Sequence, residues 1–215
     1  MPLSTNKKVK RLMSSILSKK ALWLSYFTVG YNILEGVVSV FAGSLAGSVA
    51  LVSFGIDSFI ESISGSVMIW RFRKHDVLTD EQTEAIEKRA IKLIGYSFII
   101  LGVYVLYEAG TKLYFQEKPE TTLLGIIIAI LSIIIMPFLS FLKHQTGKRL
   151  QSRSLVADSK QTMICTIMSI ALLIGLGLNY LYGIWWADPA AGLVICLFLF
   201  KEGYSALREE ELCSC

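Results

Sequence analysis

Apolar runs of about 20 residues alternate along the chain with short polar links, and that length is what a helix needs to cross a hydrocarbon core of about 30 Å. The first run, ALWLSYFTVGYNILEGVVSVF, covers about 21–41, and the small-residue link AGSLAGS turns the chain back into a second at about 49–70. So short a link requires an antiparallel hairpin. The polar stretch RFRKHDVLTDEQTEAIEKRAIK follows, where Thr79 and Gln82 have capping-box spacing and acidic residues precede basic ones, the order a helix dipole favours. A third span, begun as a wet helix, then covers about 93–115, and QEKPETT leads to a fourth at about 123–142, with a kink expected at Pro137. The basic link KHQTGKRLQSRS precedes a fifth span at about 155–178. The aromatic turn NYLYGIWW suits a membrane interface, and a sixth span covers about 189–200 with a turn on either side. The pattern predicts an all-α membrane protein with six transmembrane helices.

Composition agrees: of 215 residues 53% are hydrophobic and 18% charged, a balance that a soluble domain of this length would struggle to solvate. The stretch MPLSTNKKVKRLMSSILSKK runs into a full-length span without a short apolar core and cleavage site, so it reads as a basic cytoplasmic arm and not a secretory signal. Lysine and arginine crowd this arm and the links after spans two and four, while the other three links hold only Lys118. The positive-inside rule puts both termini in the cytoplasm. The expected organisation is a basic arm at 1–20, a six-helix domain at 21–208 and an acidic, cysteine-containing tail at 209–215. Because the basic residues stand beside span ends, the formal charge of +4 points to lipid and topology and away from nucleic acid.

Inside span two, FGIDSFIES places Asp57 and Glu61 four residues apart among apolar neighbours. An ionised carboxylate at a helix centre costs about 2.5 to 3.5 kcal/mol on insertion scales, so the pair asks for about 5 to 7 kcal/mol of compensation. Residues i and i+4 share a helix face, and both carboxylates can aim at one point. Such a pair suits a divalent metal ion, a shared proton, or both in alternation. The inert reading has each carboxyl neutral and hydrogen-bonded to hydroxyls of neighbouring helices.

A metal needs further ligands at the same depth, and span five offers ADSKQTMIC. At about 1.5 Å per residue, Asp57 and Glu61 lie roughly 21 and 15 Å from Arg71, and Cys165 and Gln161 roughly 18 and 12 Å from Arg153. Antiparallel helices would then set Asp57 opposite Cys165 and Glu61 opposite Gln161. Two carboxylates, an amide oxygen and one sulfur suit a borderline ion such as Zn²⁺, Fe²⁺, Mn²⁺ or Co²⁺ better than Ca²⁺. Asp158, one turn from Gln161, collects cations at the cytoplasmic mouth, pairs with Lys160 or is an ordinary acid near a helix N-terminus, and Cys165 taken alone equally suits a buried small apolar position. Asn32 and Glu35 in span one either line an ion or proton path or pair with a neighbouring helix. Glu108, near the outer end of span three, needs no special role.

These residues resemble the cation diffusion facilitator family, six-helix transporters that move divalent metals, usually in exchange for protons and as homodimers. AGSVAL at 46–51 is similar to that family's AGSxAL motif ahead of an acidic or histidine i, i+4 pair, here Asp57 and Glu61. Ala157 and Asp158 match the AD dipeptide ahead of the second pair, here Gln161 and Cys165 where Asp or His is usual, and WADPAAGLVI at 186–195 matches the DP dipeptide that opens span six. The His-rich link of zinc-handling members is missing, with His75 and His144 read as surface residues. The resemblance is to a short form lacking the C-terminal cytosolic domain, similar to the vesicular transmembrane zinc-transporter branch. It implies Asp57, Glu61, Gln161 and Cys165 as metal ligands, a bilayer setting and a homodimer resting on the spans. By their chemistry Cys213 and Cys215, with Glu209 to Glu211, are either accessory ligands for a cytoplasmic metal ion or part of a frayed acidic tail whose thiols are lipidated or idle.

The expected function is secondary transport of a divalent metal out of the cytoplasm, with Zn²⁺ as leading substrate, protons as counter-ion and no cofactor. The expected location is the plasma (inner) membrane if the source is prokaryotic. The alternative is a membrane metal sensor or scaffold without turnover. No GxSxG or HExxH motif stands at membrane depth, and no enzyme activity is expected.

Overall fold

The computed structural model describes residues 3–73, 80–120 and 122–212, with side chains described from residue 16 to residue 208 except at 74–87, 90–91, 93–94, 121, 153–154 and 157. The described residues form six helices: α1 Leu3–Ala46, α2 Val49–Arg73, α3 Asp80–Phe115, α4 Leu123–Leu150, α5 Arg153–Tyr182 and α6 Ala187–Leu212. All six are long and apolar enough to cross a membrane. Two expected boundaries change. Helix α1 begins at Leu3, so the basic arm is helical and continuous with span one. Helix α4 runs through Pro137 and on to Leu150, absorbing most of what read as the basic link. Thr79, His75, Cys213 and Cys215 lie outside the described residues.

The inward face of α1 is polar. Ser25, Thr28, Asn32, Glu35 and Ser39 repeat at alternating spacings of three and four and are all buried, while Leu34, Val37 and Phe41 are exposed. A helix with polar residues inward and apolar residues outward is amphipathic in the sense a bilayer demands, since lipid rewards an apolar exterior. Ser25 and Thr28 return their hydroxyl protons to the carbonyls of Ala21 and Leu24, 3.0 and 2.9 Å away, so neither is left without a partner.

Small residues let the helices close on one another. Gly47, at φ +65°, supplies the left-handed residue that turns α1 into α2 within two positions. A Cβ added at Gly43 would meet the Val52 backbone nitrogen at 2.8 Å, a contact only glycine permits. Helix α2 then touches α1, α3, α5 and α6, and α4 packs against α5 and α1. Helices α2 and α5 therefore form a wall shared by two compartments, one closed by α1 and α4 and the other by α3 and α6.

At the end of the bundle where α1 meets α2, the sequence landmarks meet in space. Asp188, in the first turn of α6, accepts hydrogen bonds from the Ser48 hydroxyl and from the Val49 backbone nitrogen, the latter at 3.0 Å. It thus caps α2 from another helix. Nearby, Lys112 donates to the Gly47 carbonyl at 2.6 Å and pairs with Glu108 at 3.7 Å, and Asn179 donates to the Pro119 carbonyl at 3.1 Å. Gly43→Val should lower stability by about 1–3 kcal/mol, because the new side chain meets backbone. Thermal melts of the detergent-purified protein check this, and an unchanged melting temperature would refute the close approach.

Candidate metal site

Asp57 and Glu61 both point into the bundle, 5% and 1% exposed, but meet different neighbours there. Asp57 lines a small cavity of about 10 Å³, room for one water-sized particle, together with Gln161 and Cys165 from α5 and Glu202 from α6. Phe98, Met168, Phe198 and Leu199 supply apolar walls. This cavity belongs to the α3/α6 side. Gln161 leaves its amide nitrogen without a hydrogen-bond partner, whereas the Cys165 thiol is buried close enough to Glu61 for the two to interact.

Glu61 faces the α1/α4 side. Its Oε1 accepts from the Thr162 hydroxyl at 2.6 Å, and its Oε2 has no hydrogen-bond partner. Thr162 in turn accepts from Lys143 Nζ at 3.0 Å, and Lys143 pairs with Asp158 at 2.8 Å, both side chains being almost wholly buried. Ser64 adds a 3.3 Å hydrogen bond to Asp158. One turn deeper, Ser58 donates to Glu35 Oε2 at 2.9 Å. Glu35 Oε1 and both polar atoms of buried Asn32 have no hydrogen-bond partner.

The geometry corrects three sequence readings. Asp57 shares its cavity with both Gln161 and Cys165, and Glu61 meets Thr162 in place of Gln161, because consecutive residues on α5 diverge by about 100° and so present themselves to different neighbours. Asp158 pairs with Lys143, not Lys160. His144, read as a surface residue, is partly buried and meets the Ser159 hydroxyl at 3.2 Å. Among the described residues no three His, Cys, Asp or Glu side chains stand together in ligating range.

Glu202, Thr162 and Lys143 escaped sequence reasoning. Glu202 falls just past the expected end of span six, yet it continues the buried face of Ile195 and Leu199 at spacings of four and three. Lys143 likewise continues the buried face of Met136, Leu139 and Ser140 on α4.

Six spans enclosing buried carboxylates define a multi-pass membrane protein that handles charge at its centre. A sequence model of the cation efflux transmembrane domain matches residues 25–210, and the chain belongs to that family. Metal-cation transport is the family's class of activity, and its members are transporters, not enzymes. The chain is 22% identical over 89% of its length to "Transmembrane protein 163" of Xenopus laevis, covering 67% of that protein. It is 26% identical over 80% of its length to an uncharacterized transporter of Methanocaldococcus jannaschii, covering 62% of it. It is 24% identical over 89% of its length to the "Cadmium, cobalt and zinc/H(+)-K(+) antiporter" of Bacillus velezensis, covering 61% of it. The chain thus spans about two thirds of these relatives' length.

Thr162→Val should cost about 1–3 kcal/mol, since it strips Glu61 Oε1 of its donor and Lys143 of an acceptor in a dry interior. Chemical denaturation of the purified protein reads the loss. A neutral result would mean that this network is not closed in the membrane.

Proposed function

We propose that the chain is a secondary transporter that carries a divalent metal cation of the zinc, iron, manganese or cobalt class out of the cytoplasm in exchange for protons. The observation that carries this reading is the cavity on the α2/α5 wall where Asp57, Gln161 and Cys165 meet, since it supplies carboxylate, amide and sulfur donors at the bundle's core. Zn²⁺ is the leading substrate because it accepts such a mixed set. Glu61 completes the ligand set by turning from Thr162 toward Asp57, and Glu202 stands at the same cavity as a further carboxylate. The relative described as a cadmium, cobalt and zinc antiporter supports the same ion class.

Metal and proton compete for the same carboxylate lone pairs, which couples loading of one to release of the other. Alternating access comes from rocking of helices around this site. Both termini face the cytoplasm, by the distribution of lysine and arginine, and the working unit is a homodimer.

Reconstituted protein should take up Zn²⁺ against a pH gradient, and Asp57→Asn and Glu61→Gln should each reduce flux to near background. Lower pH on the loading side should weaken uptake, because protonation removes the ligand. Cys165→Ser should shift preference from Zn²⁺ and Cd²⁺ toward Mn²⁺, read as a change in the ratio of fluxes. Normal flux in the Asp57→Asn, Glu61→Gln double variant would overturn the site. Metal binding by wild-type protein without flux would favour a sensor.

A further inference from the structure

Lys143 is 0% exposed and carries the only buried ammonium or guanidinium among the described residues. It does not neutralise one partner alone. Its Nζ pairs with Asp158 at 2.8 Å and donates to Thr162 at 3.0 Å, and Thr162 delivers its own proton to Glu61 Oε1 at 2.6 Å. Its charge also acts on Glu61 directly. We propose that Lys143 is a tethered counter-cation of the transport site, one that compensates Glu61 and Asp158 in the metal-free protein and opposes an arriving dication until its hold on Glu61 is broken. This rests on the transport reading above and adds a residue that sets its metal affinity.

Charges in this interior are poorly screened from one another. Asp57, Glu61, Glu35 and Asp158 are all buried, and without Lys143 their joint field would bind a dication so strongly that release would be slow. A fixed positive charge weakens that grip. An ion arriving between Asp57 and Glu61 draws Glu61 from Thr162, and Lys143 keeps Asp158 as its counter-charge. A lysine that merely braced α4 against α5 would hold Asp158 equally well, but metal affinity would not respond to its charge.

Co²⁺ titration of the full chain in nanodiscs, followed by visible absorption, separates the two. Lys143→Gln should bind Co²⁺ at least about tenfold more tightly and carry it with a lower maximal flux, as loss of a nearby like charge requires. Asp158→Asn should bind at least about tenfold more weakly, because Lys143 then turns wholly onto Glu61. The Lys143→Gln, Asp158→Asn double variant should return to within about threefold of wild type, since competitor and counter-charge leave together. This last comparison decides the matter even if Lys143→Gln alone fails to fold. Unchanged or weaker affinity in folded Lys143→Gln, or a double variant as weak as Asp158→Asn, would overturn the proposal. If wild-type protein binds no Co²⁺, the transport reading falls and takes this inference with it, whereas wild-type binding with no response to Lys143 removes the inference alone.

Discussion

Charge in the interior of a membrane bundle persists only where another group answers it, and the packing of this chain is arranged around that constraint. Glu35, Asp57, Glu61 and Asp158 come from α1, α2 and α5, and Lys143 of α4 reaches Asp158 directly and Glu61 through Thr162. Placing Lys143 there requires α4 to continue as helix well past Leu142. It also requires α5 to start close by, which the Ser152 cap and the left-handed Gln151 achieve in two residues. Ser140 reinforces the hairpin by donating to the Ser159 carbonyl at 2.6 Å. The length of α4 and the tight turn into α5 thus both serve to bring Lys143 to Asp158.

The shared α2/α5 wall separates two kinds of surface. On the α3/α6 side, Asp57, Gln161 and Cys165 border a cavity with apolar walls. On the α1/α4 side, hydroxyls reach one oxygen each of Glu35 and Glu61, and the ammonium pairs with Asp158. Close packing holds α2 in place within the wall. Gly55, whose added Cβ would lie 2.8 Å from the Val40 backbone nitrogen, holds α2 against α1 only two residues before Asp57. Six residues earlier, at the start of α2, Asp188 of α6 caps the helix, so this part of α2 is anchored from both compartments.

The spans were legible because lipid imposes a simple length rule, and the carboxylate pair because ionisable residues in apolar runs are conspicuous. What the chain hides is rotational phase. Depth along α5 can be counted from Arg153, but whether Gln161 or Thr162 faces Glu61 depends on how α5 lies against α2, which packing alone determines. Lys143 was hidden differently. It stands at the head of KHQTGKRLQSRS, where composition argues for solvent, and only the repeat through Met136, Leu139 and Ser140 marks it as inward. Glu202 escaped for the converse reason, because an apolar run ends before the helix that carries it does.

Thr162 gives the arrangement its capacity to change. One hydroxyl proton has two acceptors in reach, Glu61 Oε1 at 2.6 Å and the Asp158 carbonyl one turn back at 3.1 Å. It can serve one of them at a time. If Glu61 turns toward Asp57, the proton passes to the carbonyl of its own helix, and the oxygen still accepts from Lys143. Losing Glu61 therefore leaves no orphaned donor behind, so the cost of its movement is confined to the carboxylate itself. In the proposed transport site an ion near Asp57 would supply that compensation, and Thr162 would be the point where the exchange of partners leaves no donor orphaned.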